Sequence, residues 1–202
     1  MNRKLLFTAM TAALVSLSAN AQSKVNVTDL DVTKTYQEYG KVTIGKSVTG
    51  EAASVKGSAY TNVIGTHSNS VLKIRLDRDA TRFIAKVGVA DTHINTRDQQ
   101  LVTMTMTDGT KIYYTAGDEK QFRGVGNQKG VVTKGKVQFV IKGDGKTLYD
   151  SGLKRSGEEV SNIDIDLAGV NMIELVVNDG GDGASGDAAL WIDPVITYGK
   201  QE

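Results

Sequence analysis

The stretch Thr81-Arg82-Phe83-Ile84-Ala85-Lys86-Val87-Gly88-Val89-Ala90-Asp91 decides the fold. Phe83, Ala85, Val87 and Val89 alternate with Ile84, Lys86 and Gly88. Successive side chains on a strand point to opposite faces, so a period of two sets one face on a core. The same period recurs outward from this segment. Leu72, Ile74 and Leu76 alternate with Lys73 and Arg75, and Val102, Met104 and Met106 with Thr103, Thr105 and Thr107. Val137, Phe139 and Ile141 alternate with Gln138, Val140 and Lys142, and Ile163, Ile165 and Leu167 with Asp164 and Asp166. Ile173, Leu175 and Val177 follow, then the run from Leu190 to Tyr198. Asp108-Gly109 and Asp144-Gly145 fall between such runs, and Asp-Gly supplies the positive φ that tight hairpins need. No segment sustains a helical spacing, and one short helical turn is expected near Val32 to Tyr39. The expected fold is all-β: an antiparallel, jelly-roll-like β-sandwich of roughly eight to ten strands.

Composition narrows the classes. The chain has 202 residues, with 24 Lys+Arg, 23 Asp+Glu and no Cys. This balance lacks the positive excess that binding a phosphate backbone requires, so no nucleic-acid partner is expected. Without Cys there are no disulfides, no thiolate chemistry and no acylated anchor. Asn2-Arg3-Lys4, the apolar run Leu5 to Val15 and Ala19-Asn20-Ala21 have the three parts of a secretory signal peptide. Residues 1–21 are therefore expected to be removed, taking the formal charge from +1 to about −1 and leaving 22–202 as one domain. No later apolar run is long enough to span a bilayer. The expected location is outside the cytoplasm, periplasmic or extracellular.

Three segments together resemble the NPCBM family, which is similar to carbohydrate-binding module family 51. The first is Gly57-Ser58-Ala59-Tyr60 with Ile64-Gly65-Thr66-His67-Ser68-Asn69-Ser70 and the strand after it. The second is Thr81 to Asp91. The third runs from Val137 through Gly143-Asp144-Gly145-Lys146 and Ile163 to Leu167, and ends at Asp187 and Trp191-Ile192-Asp193-Pro194. Two departures stand out. Between Asp91 and Val137 the chain carries an insertion, at about 94–136, that contains a hairpin. The family's closing Asp-His-Ala-Asp-Trp is here Asp187-Ala188-Ala189-Leu190-Trp191, without the His and the second Asp. The resemblance implies a β-sandwich that binds glycans without cutting them, with galactose-type sugars at glycan ends as the class. A glycoside hydrolase or an envelope protein is the protein partner it suggests.

Sugars offer C–H faces to aromatic rings and hydroxyls to fixed polar groups. The candidate carbohydrate-binding residues are accordingly Tyr60, His67, Asn69, Asp91, Asp187 and Trp191. Each has a second reading. Trp191 is either a stacking platform or a core residue. His67 either meets a sugar hydroxyl or ties down a loop. Tyr113 and Tyr114 are adjacent, so one is expected to face outward. Asp179 and Asp182, in the acidic stretch Asp179-Gly180-Gly181-Asp182-Gly183, are either calcium ligands or turn residues. No other cofactor is expected. A zinc site from His67 and His93 lacks any tight ligand spacing. Asp164 and Asp166 share the solvent face of one strand, which does not suit a pair of facing catalytic carboxylates. No Gly-x-Ser-x-Gly elbow or phosphate loop is present, so no enzymatic activity is expected. The alternative to sugar binding is a structural or protein-binding envelope domain that uses the insertion as its working surface.

Overall fold

The structure is a computed structural model that describes residues 22–76, 79–93, 101–105, 111–115, 122–125, 131–132, 135–181, 183–184 and 186–199. In chain order the elements are β1 (Ser23–Asn26), a 3₁₀ turn (Val27–Asp29), β2 (Tyr36–Gln37), β3 (Thr43–Ile44), β4 (Ser54–Val55) and β5 (Ser58–Ala59). Next come β6 (Val63–His67), β7 (Ser70–Arg75), β8 (Ala80–Val89) and β9 (Thr92–His93). Four strands follow within the insertion: β10 (Leu101–Thr105), β11 (Lys111–Thr115), β12 (Phe122–Val125) and β13 (Val131–Val132). The chain then returns through β14 (Lys136–Gly143), β15 (Lys146–Arg155), β16 (Ser161–Asp166), β17 (Met172–Asn178) and β18 (Ala188–Tyr198).

Two antiparallel sheets form the sandwich. One is six-stranded, in the order β16-β8-β18-β6-β3 with β1 also on β18. The other is five-stranded, in the order β15-β14-β17-β7-β2. The alternation seen in the sequence sets what lies between them. Phe83, Ala85 and Val87 of β8 face Val137, Phe139 and Ile141 of β14 and Ile173, Leu175 and Val177 of β17 in one buried cluster. Arg82, Ile84 and Lys86 take the other face of β8, with Arg82 paired to the exposed Asp164. The two sheets hold more strands than the eight to ten expected, because β2 and β3 are two-residue pairings with no periodicity to read. The helical turn expected near Val32 to Tyr39 is absent. Tyr36–Gln37 pairs with β7 instead, and the one helical turn described is the 3₁₀ turn at Val27–Asp29.

A second, smaller core lies on the outer face of the six-stranded sheet. Val63, Leu190 and Ile192 are covered there by Ala53 and Val55 of the β4–β5 hairpin. The central strand β18 is thus buried on both faces, with Trp191 toward one core and Leu190 and Ile192 toward the other. Between β14 and β15, Asp144 (φ 47°) and Gly145 (φ 81°) make the expected hairpin. In the insertion, β10 pairs with β11 from Leu101↔Thr115 to Thr105↔Lys111. Asp108-Gly109, residues 1–21 and Asp182 lie outside the described residues, as do the side chains of His93, Tyr113 and Tyr114. Among the described residues, no helix is long and apolar enough to cross a membrane.

Candidate functional site

The site is a rim where two connections cross between the sheets side by side. β6 ends at His67 in the first sheet, and Ser68-Asn69 carry the chain to β7 in the second. Beside this corner, Glu38 to Val42 carry the chain the other way, from β2 to β3. Backbone pairing joins the two crossings: Gln37 is opposite Ser70, and the Glu38 N–H donates to the Asn69 carbonyl at 3.1 Å.

Side chains lock the arrangement. The Gln37 carboxamide donates from Nε2 to the Tyr39 carbonyl at 2.6 Å and accepts the His67 N–H on Oε1 at 3.1 Å. Both partners are backbone groups of fixed polarity, so the orientation of this amide is determined. Asn69 donates from Nδ2 to Glu38 Oε2 at 2.9 Å. Gly65, next to the corner, has no room for a side chain, because a Cβ would run into the Lys46 carbonyl and the Thr43 hydroxyl. Val42 then packs on the main core and ends the crossing.

On this frame stands Tyr39, 63% exposed, its ring centroid 4.8 Å from that of His67 and tilted by 52°. His67 itself is only 7% exposed. Its Nδ1 is 2.8 Å from the Ser68 carbonyl, which can only accept, so Nδ1 carries a proton and donates, and Nε2 is the ring atom left over. A carboxylate likewise only accepts, so the Asn69 NH₂ must face Glu38 and its Oδ1 is left over. Three atoms therefore have no hydrogen-bond partner among the described residues: His67 Nε2 and the two acceptors Asn69 Oδ1 and Glu38 Oε1. An exposed ring edged with fixed acceptors suits a ligand with a C–H face and hydroxyl donors.

The residues expected from the sequence divide. His67 and Asn69 are at the rim, and Asp187 lies beneath it. Asp187 is 1% exposed and accepts from the Ser68 hydroxyl at 2.7 Å and the Lys136 N–H at 2.9 Å. It holds the corner to the first residue of β14 and does not meet solvent. Trp191 must be corrected as a platform. It is 1% exposed and packs edge-on to Phe139, centroids 5.2 Å apart at 87°, because its face of β18 is the inter-sheet face. Asp91 is also corrected. It is buried, and its two oxygens accept from the N–H groups of Lys56 at 2.9 Å and Gly57 at 2.8 Å. It thereby closes the β4–β5 turn, where Lys56 has a φ of 49°. Tyr60 is half-buried against the second core, before the start of β6, whereas His67 ends that strand.

Asp179 accepts the Gly181 N–H at 2.9 Å within its own turn. No group of three His, Cys, Asp or Glu among the described residues is placed to hold a metal ion. The sequence reading missed Tyr39, Gln37 and Glu38. The available signal was Tyr36-Gln37-Glu38-Tyr39-Gly40, two aromatics in a polar stretch with a glycine turn and no apolar periodicity.

Comparison with known proteins agrees with this architecture. The sequence model of the NPCBM/NEW2 domain matches residues 23–119 and 104–197. No curated protein matches the chain by sequence. Among solved structures, the CBM51 of Clostridium perfringens GH95 in complex with methyl-galactose is similar over 86% of this chain and 99% of its own, at 22% identity and a TM-score of 0.61. CBM51-2 of C. perfringens ZmpB, solved in complex with GlcNAc and with INT domains, matches 88% of this chain and 32% of its own, at 18% identity and a TM-score of 0.62. The tandem CBM51 modules of the Streptococcus pneumoniae family 98 glycoside hydrolase match 97% of this chain and 52% of theirs, at 16% identity and a TM-score of 0.59. These likenesses carry the β-sandwich fold, and the matched residues span most of the chain, which belongs to the NPCBM/NEW2 domain family.

Proposed function

We propose that the protein is an exported, non-catalytic carbohydrate-binding module whose ligand sits at the Tyr39–His67 rim. The observation that carries this reading is the exposed Tyr39 ring on a frame of fixed hydrogen bonds, with the acceptors Asn69 Oδ1 and Glu38 Oε1 left unpaired at the same rim. Acceptors suit neutral hydroxyls and repel carboxylate, sulfate and phosphate groups, so the ligand is a neutral sugar. Galactose-type residues at glycan ends are the first class to test, in line with the methyl-galactose held by a module of the same fold. Binding needs no nucleophile and no acid of altered pKa, and the exposed Asp164 is engaged by Arg82 rather than by a second carboxylate.

One shallow site binds weakly, with a Kd in roughly the millimolar to high-micromolar range. Titration of the purified protein with methyl galactoside, and a mixed glycan array, test the proposal. Saturable binding to neutral glycans supports it, and no binding to any glycan at millimolar concentration overturns it. Chelation with EDTA is expected to leave binding unchanged. Loss on chelation would instead bring Asp179 and Asp182 into the site.

A second reading has one observation in its favour. The insertion leaves after β9 and rejoins at β14, whose Lys136 N–H is held by Asp187 directly under the rim. A protein partner in the envelope, or a glycoside hydrolase, could dock on this segment. A pull-down that is lost on deleting residues 94–134, without any glycan binding, would favour it.

A further inference from the structure

A second exposed ring stands three residues before Tyr39. Tyr36 is 60% exposed and pairs with Val71 at the free edge of the five-stranded sheet. Its neighbour Gln37 is tied to the rim, so adjacent side chains of one short strand serve different places. Beside Tyr36 is a hollow of about 300 Å³, lined by Asp31, Lys34, Tyr36, Val71, Leu72 and Lys73.

The chemistry of this hollow resembles that of the rim but adds donors. Asp31 accepts the Thr33 N–H at 3.0 Å and the Thr33 hydroxyl at 2.5 Å, both on Oδ1. These bonds hold its carboxyl below the usual range, so it is an ionised acceptor at neutral pH with Oδ2 open. Lys34 is exposed and has no ion-pair or hydrogen-bond partner among the described residues. Lys73 pairs with Glu174 at 2.9 Å and keeps much of its side chain in solvent. A ring, an apolar floor at Val71, an open acceptor and an open donor therefore meet in one concave place. The carboxylate of Asp31 offsets a lysine, so the hollow is no anion trap.

We propose that the Tyr36 hollow is a second sugar subsite, and that the protein's ligand is an oligosaccharide lying along the β2 edge rather than a single terminal sugar. This rests on glycan binding at the Tyr39–His67 rim. Tyr36 and Tyr39 are three residues apart, so their Cα atoms lie at most roughly 10 Å from each other, a reach that a short glycan covers. The first sugar stacks on Tyr39 and a following one meets Tyr36. Lys34 donates to its hydroxyls and Asp31 accepts from them.

The test is calorimetric titration of wild type, Tyr36→Ala, Tyr36→Phe and Tyr39→Ala. The probes are methyl glycosides of galactose, N-acetylgalactosamine and N-acetylglucosamine, and tetrasaccharides ending in each. The tetrasaccharide that binds is expected to do so about tenfold tighter than its methyl glycoside. Tyr36→Ala should remove that gain and leave the methyl glycoside unaffected, Tyr36→Phe should keep it, and Tyr39→Ala should weaken both ligands. If wild type binds the two ligand lengths equally, or Tyr36→Ala leaves the gain intact, the second subsite is overturned while the rim site stands. If none of the probes binds, both readings fall.

Discussion

The corner Thr66 to Asn69 and the crossing Tyr36 to Gly40 lie against each other, and their side chains do opposite things. At the corner, Thr66, His67 and Ser68 are buried, and Ser68 holds Asp187 under the rim. On the crossing, Tyr36 and Tyr39 stand in solvent while the side chains of Gln37 and Glu38 turn back to bond the frame. The residues that resemble the family pattern are mainly those that build the rim. The exposed rings sit in a segment that shows no pattern, and the corner adds to them only the unpaired atoms of His67 and Asn69. Buried polar residues at such a corner serve geometry, because an unpaired polar group is costly there; His67 bonds the Ser68 carbonyl and Ser68 bonds Asp187, whereas the Thr66 hydroxyl has no partner among the described residues.

The largest effect is expected in the core. Trp191→Ala removes the ring that fills the space against Phe139, and it should cost about 3–5 kcal/mol of stability. A urea unfolding curve measures this. A small change would mean that Trp191 is not buried and that its role as a platform must be reopened. Next is the support under the rim. Asp187→Ala leaves the Ser68 hydroxyl and the Lys136 N–H without acceptors, at about 1–3 kcal/mol. The same unfolding experiment reads it, and glycan affinity should fall with it as the corner loosens. Retained affinity at full stability would separate Asp187 from the rim.

The smallest effect is a pH dependence far from the rim. Asp144 accepts from the Asn171 N–H at 3.0 Å and the Met172 N–H at 3.1 Å, bonds that hold its carboxyl below the usual range. A carboxylate with a lowered folded pKa stabilises above its unfolded pKa of about 3.9, and that contribution is lost as pH falls through the folded value. Asp144→Asn also suits the positive φ of this turn, so the variant isolates the charge. The difference in urea midpoint between wild type and Asp144→Asn should be visible at pH 7 and shrink below about pH 4. Glycan binding should not respond to this substitution. A response would show that the hairpin end and the rim are coupled.

Much of the sandwich was legible from alternation alone. The inward and outward sets of β8, β14 and β16 follow from period two, because one face of each strand must be apolar to pack on the opposite sheet. The Asp144-Gly145 turn was legible from backbone chemistry. The edge pairings β2 and β3 were not, since two residues carry no period and their pairing is set by where the neighbouring strands end. The site was legible only in part. His67 and Asn69 stood out as polar residues at a strand end, but their exposure depends on a crossing from a remote part of the chain. Asp91 was read as a ligand because its partner turn, at Lys56-Gly57, is invisible from its own neighbours. Trp191 could not be assigned to a face because β18 is apolar on both sides, and only the second core under the β4–β5 hairpin explains why.

Tyr39 is proposed as a ligand-binding ring on a scaffold that does not need it for folding. The direct measurement is a paired one on Tyr39→Ala, thermal unfolding together with calorimetric titration of the neutral glycan that wild type binds. An exposed ring adds little to folding, so Tm should stay within about 2 °C of wild type. Affinity should fall by at least about tenfold, the size expected when a stacked aromatic is removed. Unchanged affinity in the folded variant would move the ligand site away from this rim.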